Sequence, residues 1–186
     1  LLCQQCHGPD GGGNRSYLAP SIAGLPEWYV QRQLEKFHSG IRGTNFDDLS
    51  GMRMRPMALW LKDEAQTRAA AAHVAGMPPV KPEPRLEGGS AERGQGLYAT
   101  CVACHGPQGG GNEALGAPPL NHQSDWYMLT QLVHFKLGIR GANPQDTQGA
   151  VMRNFALLLQ DEQAMKDVIA YIMTFPVQTQ TAKNEN

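Results

Sequence analysis

One unusual sequence motif occurs twice in the chain. CQQCHGPDGGGN at residues 3–14 returns as CVACHGPQGGGN at residues 101–112, so that Cys3 and Cys101 differ by 98 positions. The same offset holds without a gap as far as residue 64, and about half of the positions from 3 to 64 are identical to their counterparts. A repeat of this length exceeds the units of solenoid proteins and indicates two copies of one small domain.

The two copies are separated by GMPPVKPEPRLEGGS, residues 76–90, whose Pro and Gly favour neither helix nor strand. SAERGQGLYAT, residues 90–100, has no counterpart before the first copy, so we expect Leu1 not to be the true start and a helix and a signal peptide to lie upstream. The predicted organisation is an N-terminal domain over 1–78, a linker over 79–89, a C-terminal domain over 90–180 and a polar tail over 181–186.

The periodic segments of both copies are helical, and we predict an all-α fold. Apolar residues recur at three-to-four spacing in 27–39, 125–137 and 161–174, and residues 63–76 are rich in Ala and Glu, which favour a helix. Residues 90–100 also predict a helix, with Ser90 as its N-cap. No stretch alternates for long enough to predict a sheet. The chain has 21 Gly and 13 Pro, so each domain has few residues for an apolar core. We therefore expect each domain to be stabilised by an additional element such as a bound cofactor.

Both repeated phrases contain Cys-x-x-Cys-His, the attachment motif of c-type haem. Two thiols at this spacing can each add to one vinyl group of a porphyrin, and the next histidine can offer a ring nitrogen to the iron. A redox dithiol would come with a βαβ pattern, and a zinc site would gather its cysteines in one cluster. Neither applies here, so the sequence predicts two haem c groups held by Cys3, Cys6 and His7 and by Cys101, Cys104 and His105.

The sixth iron position decides between a carrier and an enzyme, because a second protein ligand blocks substrate. The first copy offers Met52, Met54 and Met57, but only Met54 has a methionine counterpart, Met152. Both are expected in loops that precede a helix, after GTN and GAN turns. Thioether ligation favours reduced iron. We therefore predict the axial pairs His7 with Met54 and His105 with Met152.

Other repeated residues are candidates for supporting roles. Pro20 and Pro118 have two interpretations: a tight loop, or a carbonyl that accepts the N–H of the ligating histidine. Arg42 and Arg140 suit haem propionates, or else the C-terminal dipole of a helix. The unrepeated histidines are expected to be solvated at the surface; these are His38, His73, His122 and His134.

Net charge and hydropathy argue against nucleic-acid binding and against a membrane-spanning segment. The formal net charge of −1 gives no basic face for nucleic acid. No run approaches the roughly 18 apolar residues of a membrane span.

Two CxxCH domains in tandem, each with a methionine before its last helix, resemble the diheme cytochrome c4 family. Its Pro-x-Leu pattern matches Pro20–Ile22 and Pro118–Leu120, and its Met-Arg-Ser-like loop matches Met152-Arg153-Asn154 and more loosely Met54-Arg55-Pro56. The resemblance implies two class I cytochrome c domains packed face to face, with propionates near the interface. It also implies a periplasmic one-electron carrier between the cytochrome bc1 complex and a cbb3-type oxidase.

Other diheme proteins remain alternatives. One is the electron-transfer subunit of a larger enzyme, such as a flavocytochrome c sulfide dehydrogenase. A thiosulfate dehydrogenase would want an unusual Cys or Lys ligand, and all four cysteines are already used. A peroxidase would want an open iron position, whereas both copies keep the same methionine. We therefore expect an electron-transfer protein and not an enzyme.

Overall fold

The structure, a computed structural model, describes residues 2–177; residues 178–186, and with them the predicted polar tail, lie outside the described residues. Every regular element in the described part is helical, which confirms the all-α prediction. The α-helices are α1 Gln4–His7, α2 Glu27–His38, α3 Leu49–Leu59, α4 Glu64–Ala75, α5 Ala91–Tyr98, α6 Val102–His105, α7 Asp125–Leu137, α8 Thr147–Leu157 and α9 Glu162–Ile172, with a 3-10 turn at Arg15–Tyr17.

The repeat in the sequence is a repeat in the structure, because α1 to α4 correspond to α6 to α9. Aspartate begins the equivalent helices in the same way: Asp48 accepts from the Gly51 N–H at 2.8 Å and Asp146 from the Gly149 N–H at 2.9 Å. The predicted cap of α5 is also confirmed, since the Ser90 hydroxyl accepts from the Arg93 N–H at 3.3 Å. Such caps satisfy N–H groups that have no partner inside the helix.

The larger core lies in domain 2, the C-terminal copy, where α5 packs against α9. Their close approach depends on Gly94, because a Cβ there would lie 1.9 Å from the Asp167 carbonyl oxygen. Tyr98 at the end of α5 is fully buried and donates to the Gly106 carbonyl at 2.8 Å. This bond ties the α5–α9 pair to the segment that follows the second CxxCH motif.

The core cluster of domain 1, the N-terminal copy, is smaller and consists of Leu34, Phe37 and Ala58. Met54 packs against it from α3. A cluster of this size buries little apolar area, which is the driving force for folding. The expectation that domain 1 needs a cofactor as a staple agrees with this thin core.

The segment between the domains has neither helix nor strand and contacts both of them, since Pro79 lies close to Gly24 and Val80 close to Gly12 of domain 1. The buried Asp125 carboxylate accepts from the backbone N–H of Arg85 at 2.5 Å and of Leu86 at 2.7 Å. Lys81 donates to the Phe175 carbonyl at 3.1 Å. The segment is therefore anchored to domain 2 by two backbone N–H groups and one lysine side chain. None of the described helices is both long and apolar enough to cross a bilayer.

Candidate functional site

Each CxxCH motif forms a single helical turn whose histidine is buried and oriented by a backbone carbonyl. Nδ1 of His7 lies 2.8 Å from the Pro20 carbonyl oxygen, and Nδ1 of His105 lies 2.8 Å from that of Pro118. A carbonyl oxygen only accepts, so Nδ1 carries the proton and Nε2 keeps the lone pair that binds a metal.

A glycine in each copy allows the loop with the proline to approach the motif. Gly13 has φ 91°, and a Cβ there would lie 2.6 Å from the Ser21 nitrogen. Gly111 has φ 82°, with a Cβ 2.6 Å from the Pro119 nitrogen. Only glycine adopts this conformation without strain and without a clash. The GGGN part of the repeated phrase therefore positions the proline carbonyl.

Burial also sets the protonation state of the two histidines. It lowers the pKa of His7 and of His105 below the usual value, and the hydrogen bond to the proline carbonyl opposes this only in part. Both rings are therefore neutral at pH 7. Neutral imidazole is the form that binds a metal ion.

In domain 2 the motif opens on a cavity of about 310 Å³. The two thiols of Cys101 and Cys104, the imidazole of His105 and the thioether of Met152 all line it. The remaining wall is mainly apolar and includes Phe135, Phe155, Leu159, Ile169 and Ile172. In domain 2 the structure thus brings the predicted thioether-forming cysteines and both predicted axial ligands to one cavity.

The prediction that the two methionines lie in loops is wrong. Met54 lies inside α3 and Met152 inside α8, because the capping aspartate starts each helix six residues earlier. The signal for this was in the sequence, since Asp48-x-x-Gly51 and Asp146-x-x-Gly149 repeat. A Cβ on either glycine would lie 2.1 Å from its capping carboxylate. The helix therefore fixes each methionine more firmly than a loop would.

Four side chains of α2, α7 and the segments after them form a reciprocal ring across the domain boundary. Arg42 donates to Gln33 at 2.8 Å and to Gln131 of the other domain at 3.2 Å. Arg140 donates to Gln131 at 2.8 Å and to Gln33 at 3.1 Å. Neither glutamine is among the predicted site residues, although both are identical in the two copies and the repeat therefore marks them.

Just outside this ring, a second pair of reciprocal contacts is unequal. Lys36 on α2 donates to Asp146 at 2.5 Å. The counterpart of Lys36 is His134 on α7, whose Nδ1 lies 3.7 Å from Asp48, beyond hydrogen-bonding distance. One side of the interface therefore has a lysine–aspartate ion pair, and the other side has a histidine that is not hydrogen-bonded to its aspartate.

Comparison with known proteins gives the family. The model of the Cytochrome c family matches residues 2–78 and 91–176, once in each copy. A cytochrome c4 of Thiocapsa roseopersicina is 31% identical over 87% of this chain and 81% of its own length. The crystal structure of reduced cytochrome c4 from Pseudomonas stutzeri superposes with a TM-score of 0.73 at 25% identity, covering 95% of this chain and 94% of that one. The chain belongs to the diheme cytochrome c4 family.

Other similar proteins have names that point to specific partners. A thiosulfate dehydrogenase electron acceptor of Stutzerimonas stutzeri is 34% identical over 82% of this cytochrome and 71% of its own length. The solved thiosulfate dehydrogenase TsdBA of Marichromatium purpuratum has a TM-score of 0.75 at 30% identity, and this cytochrome spans 37% of that chain. The FixPc subunit of a cbb3-type oxidase of Rhizobium leguminosarum is 32% identical over 63% of this cytochrome and 40% of its own length.

The cytochrome carries two covalently bound haem c groups, and the interface fits their propionates. Nε of Arg42 and Nε of Arg140 are buried with no hydrogen-bond partner among the described residues. Leaving such a donor unpaired costs about 1–3 kcal/mol, more for a charged group, and a propionate oxygen would remove this cost. Both guanidinium groups point across the boundary instead of ending their own helix, and Arg140 lines the cavity. This arrangement favours the propionate interpretation over the helix-dipole one.

The expectation of solvated histidines is right for two residues and wrong for two. His38 and His73 are exposed. His122 is only 4% exposed and His134 only 8%. His134 is buried because α7 packs on domain 1 beside Asp48. No single-copy pattern in the sequence indicates that packing.

Proposed function

We propose that this cytochrome is a periplasmic one-electron carrier that takes electrons from a cytochrome bc1 complex and delivers them towards a cbb3-type oxidase. The observation that carries the proposal is the convergence of His105 and Met152 on one cavity, with His7 and Met54 as their counterparts. Bound haem supplies one-electron redox chemistry at its iron. His105 and Met152, and by the repeat His7 and Met54, would hold the iron, and two protein ligands would leave it no position for a substrate.

The protein groups around each site keep the electron-transfer chemistry simple. The proline carbonyls hold His7 and His105 as neutral ligands of fixed orientation. The apolar wall of the cavity excludes water, which stabilises the reduced state relative to the more highly charged oxidised state. Histidine–methionine ligation acts in the same direction and favours a high potential.

The cavity of domain 2 also reaches the molecular surface, where partners would dock. Leu115 and Val151 line it and are 54% and 53% exposed. Exposed apolar side chains at the mouth of a buried cofactor site suit a transient interface, whose centre is poor in charge. The net charge of −1 adds little long-range steering.

Family relatives support the location and the acceptor. Cytochromes c4 are among the similar proteins, and a cbb3-type oxidase contains the similar FixPc subunit. The test is to mix the dithionite-free reduced cytochrome with a purified cbb3-type oxidase and follow oxygen uptake. Rapid uptake that stops when the cytochrome is oxidised is expected. The failure of the oxidase to oxidise the cytochrome contradicts the proposed acceptor.

A second candidate is that a thiosulfate dehydrogenase, and not the bc1 complex, is the donor. The observation that favours it is the 34% identity to a thiosulfate dehydrogenase electron acceptor. Oxidised cytochrome would be mixed with thiosulfate, with and without a purified thiosulfate dehydrogenase. Reduction only in the presence of the enzyme supports this donor. Reduction by thiosulfate alone would instead identify the chain as an enzyme and overturn the carrier function.

A further inference from the structure

The haem cavity of domain 2 is partly built by domain 1. Tyr29, Arg32, Gln33 and Lys36, all on α2, line it together with residues of domain 2. By the 98-residue offset, their counterparts on α7 are Tyr127, Thr130, Gln131 and His134. The tyrosines and glutamines are identical. The two copies therefore differ at only two of these four positions, and at both the first copy has the cation.

Arg32 lies at the cavity, and one N–H group of its guanidinium has no hydrogen-bond acceptor among the described residues. Its guanidinium carbon lies 4.9 Å from the centre of the Trp28 ring, and its Nη1 atom is buried with no hydrogen-bond partner among the described residues. It lies close to Gly116 of domain 2, where an added Cβ would be 2.9 Å from Nη1. The counterpart Thr130 is neutral, and its hydroxyl donates to the Trp126 carbonyl at 2.9 Å.

The second difference is that between Lys36 and His134. Lys36 with Asp146 is a buried pair whose charges cancel, at 2.5 Å. His134 is neutral at pH 7 because burial lowers its pKa, so it supplies no positive charge beside Asp48. Arg42 and Arg140 are counterparts in the two copies, so they contribute no difference in charge between the two haem sites. On α2 and α7 alone, Arg32 and Lys36 therefore give the domain 2 site two more positive charges than Thr130 and the neutral His134 give the domain 1 site. Domain 1 has one cation of its own, Arg53, in place of the cavity-lining Val151, but Arg53 is exposed and its charge is screened by solvent.

We propose that Arg32 and Lys36 of domain 1 raise the reduction potential of the haem bound in domain 2. Reduction removes one positive charge from the iron centre, so a nearby cation stabilises the reduced form more than the oxidised form. At an effective dielectric constant near 20 and a separation of roughly 10 Å, one charge changes the equilibrium constant by about tenfold. For a one-electron couple a tenfold change is about 59 mV.

The experiment uses the complete two-haem cytochrome and replaces each cation with its counterpart. Arg32→Thr and Lys36→His are titrated by spectroelectrochemistry, and each potential is assigned by the haem-methyl proton signals of the two domains. Each variant should lower the equilibrium constant for reduction of the domain 2 haem roughly tenfold. The equilibrium constant for reduction of the domain 1 haem should change by less than about twofold. The reverse change, Thr130→Arg, should raise the potential of the domain 1 haem.

Two further variants separate charge from structural damage. Arg32→Lys keeps the charge and should change the equilibrium constant for reduction of the domain 2 haem by less than about twofold. Arg68→Thr removes an exposed arginine of α4 and is the control for net charge, since solvent and salt screen it. Unchanged potentials in Arg32→Thr and Lys36→His, or a shift confined to the domain 1 haem, overturns the inference. An equal shift in Arg68→Thr also overturns it.

This inference requires haem in both domains but does not depend on the proposed donor or acceptor. Its failure is distinguishable from failure of the carrier function. If the potentials respond to Arg32 and Lys36 but no oxidase accepts electrons, only the carrier function is wrong. If the oxidase turns over with unchanged potentials in the variants, only the inference is wrong.

Discussion

Lys36 and His134 occupy equivalent positions on α2 and α7, and each faces the helix-capping aspartate of the opposite domain. Lys36 lies 2.5 Å from Asp146, whereas His134 lies 3.7 Å from Asp48. Burial lowers the pKa of Lys36. Burial by itself would raise the pKa of Asp146, but the hydrogen bond and charge of Lys36 outweigh it and the pKa is lowered. The interface is therefore symmetric in position and asymmetric in its response to protons.

The buried His134 should make the stability of the cytochrome depend on pH. Its pKa is lowered from 6.5, mainly by burial and further by Arg42 and Arg140, while Asp48 and Asp47 oppose the shift. An unfolded chain then binds a proton at higher pH than the folded one. The stability is thus fully present above pH 6.5 and is lost as pH falls from 6.5 through the lower folded pKa.

His134→Gln should reduce the loss of Tm between pH 7.5 and pH 5.5, as measured by circular dichroism. His73→Gln changes an exposed histidine and serves as the control, which should keep the pH dependence of the parent. Identical Tm profiles for His134→Gln and the parent would contradict the prediction.

Removing one partner of the Lys36–Asp146 pair should be costly. Both side chains are nearly inaccessible, with 10% and 2% exposure. Lys36→Met leaves a buried carboxylate without its cation, which typically costs about 3–5 kcal/mol. Denaturant unfolding should therefore report a loss of roughly this size in the free energy of unfolding.

The double variant Lys36→Met/Asp146→Asn is the matched test for the same site. Asparagine removes the charge but can still cap α8 by accepting from the Gly149 N–H. It should recover part of the lost stability. A double variant less stable than Lys36→Met would show that the buried charge is not the cause.

The contact between α5 and α9 gives a prediction with a control on the same helix. Gly94→Ala would place a methyl group 1.9 Å from the Asp167 carbonyl oxygen, so the helices must separate. We expect a loss of several kcal/mol, at or above the typical 1–3 kcal/mol of overpacking. Gly96→Ala meets nothing within 4 Å and should stabilise the helix by about 0.5–1 kcal/mol. Equal effects of the two changes in denaturant unfolding would contradict the assigned contact.

The repeat made most of the helices predictable from the sequence. The contacts between the two domains, and the burial that they cause, could not be predicted in this way. The recurrence of Trp, Leu and Phe at three-to-four spacing in 27–39 and 125–137 predicted α2 and α7, because this spacing is a property of each segment by itself. Met54 and Met152 were misplaced because the turns before them hid the capping role of Asp48 and Asp146. His134 was misplaced because its burial depends on the contact between two domains. Such contacts leave no period in either sequence segment.

The assignment of the distal ligands is open to direct test. Met152 lines the cavity that also holds His105, Cys101 and Cys104, and Met54 is its counterpart on α3. Met152→Ala should abolish the methionine-to-ferric charge-transfer band of one haem and lower its potential, because the thioether favours reduced iron. The band of the other haem should persist, which gives about half of the original absorbance.

Domain 1 needs a separate control because three of its methionines, Met52, Met54 and Met57, lie together on α3. Met57 is 39% exposed and its counterpart is Phe155, so Met57→Ala should leave both charge-transfer bands intact. Met54→Ala should abolish the band that survives in Met152→Ala, and the double variant Met54→Ala/Met152→Ala should have none. If Met57→Ala removes a band and Met54→Ala does not, Met57 is the ligand in domain 1. That result would also end the equivalence of the two haem sites, because Phe155 cannot ligate iron.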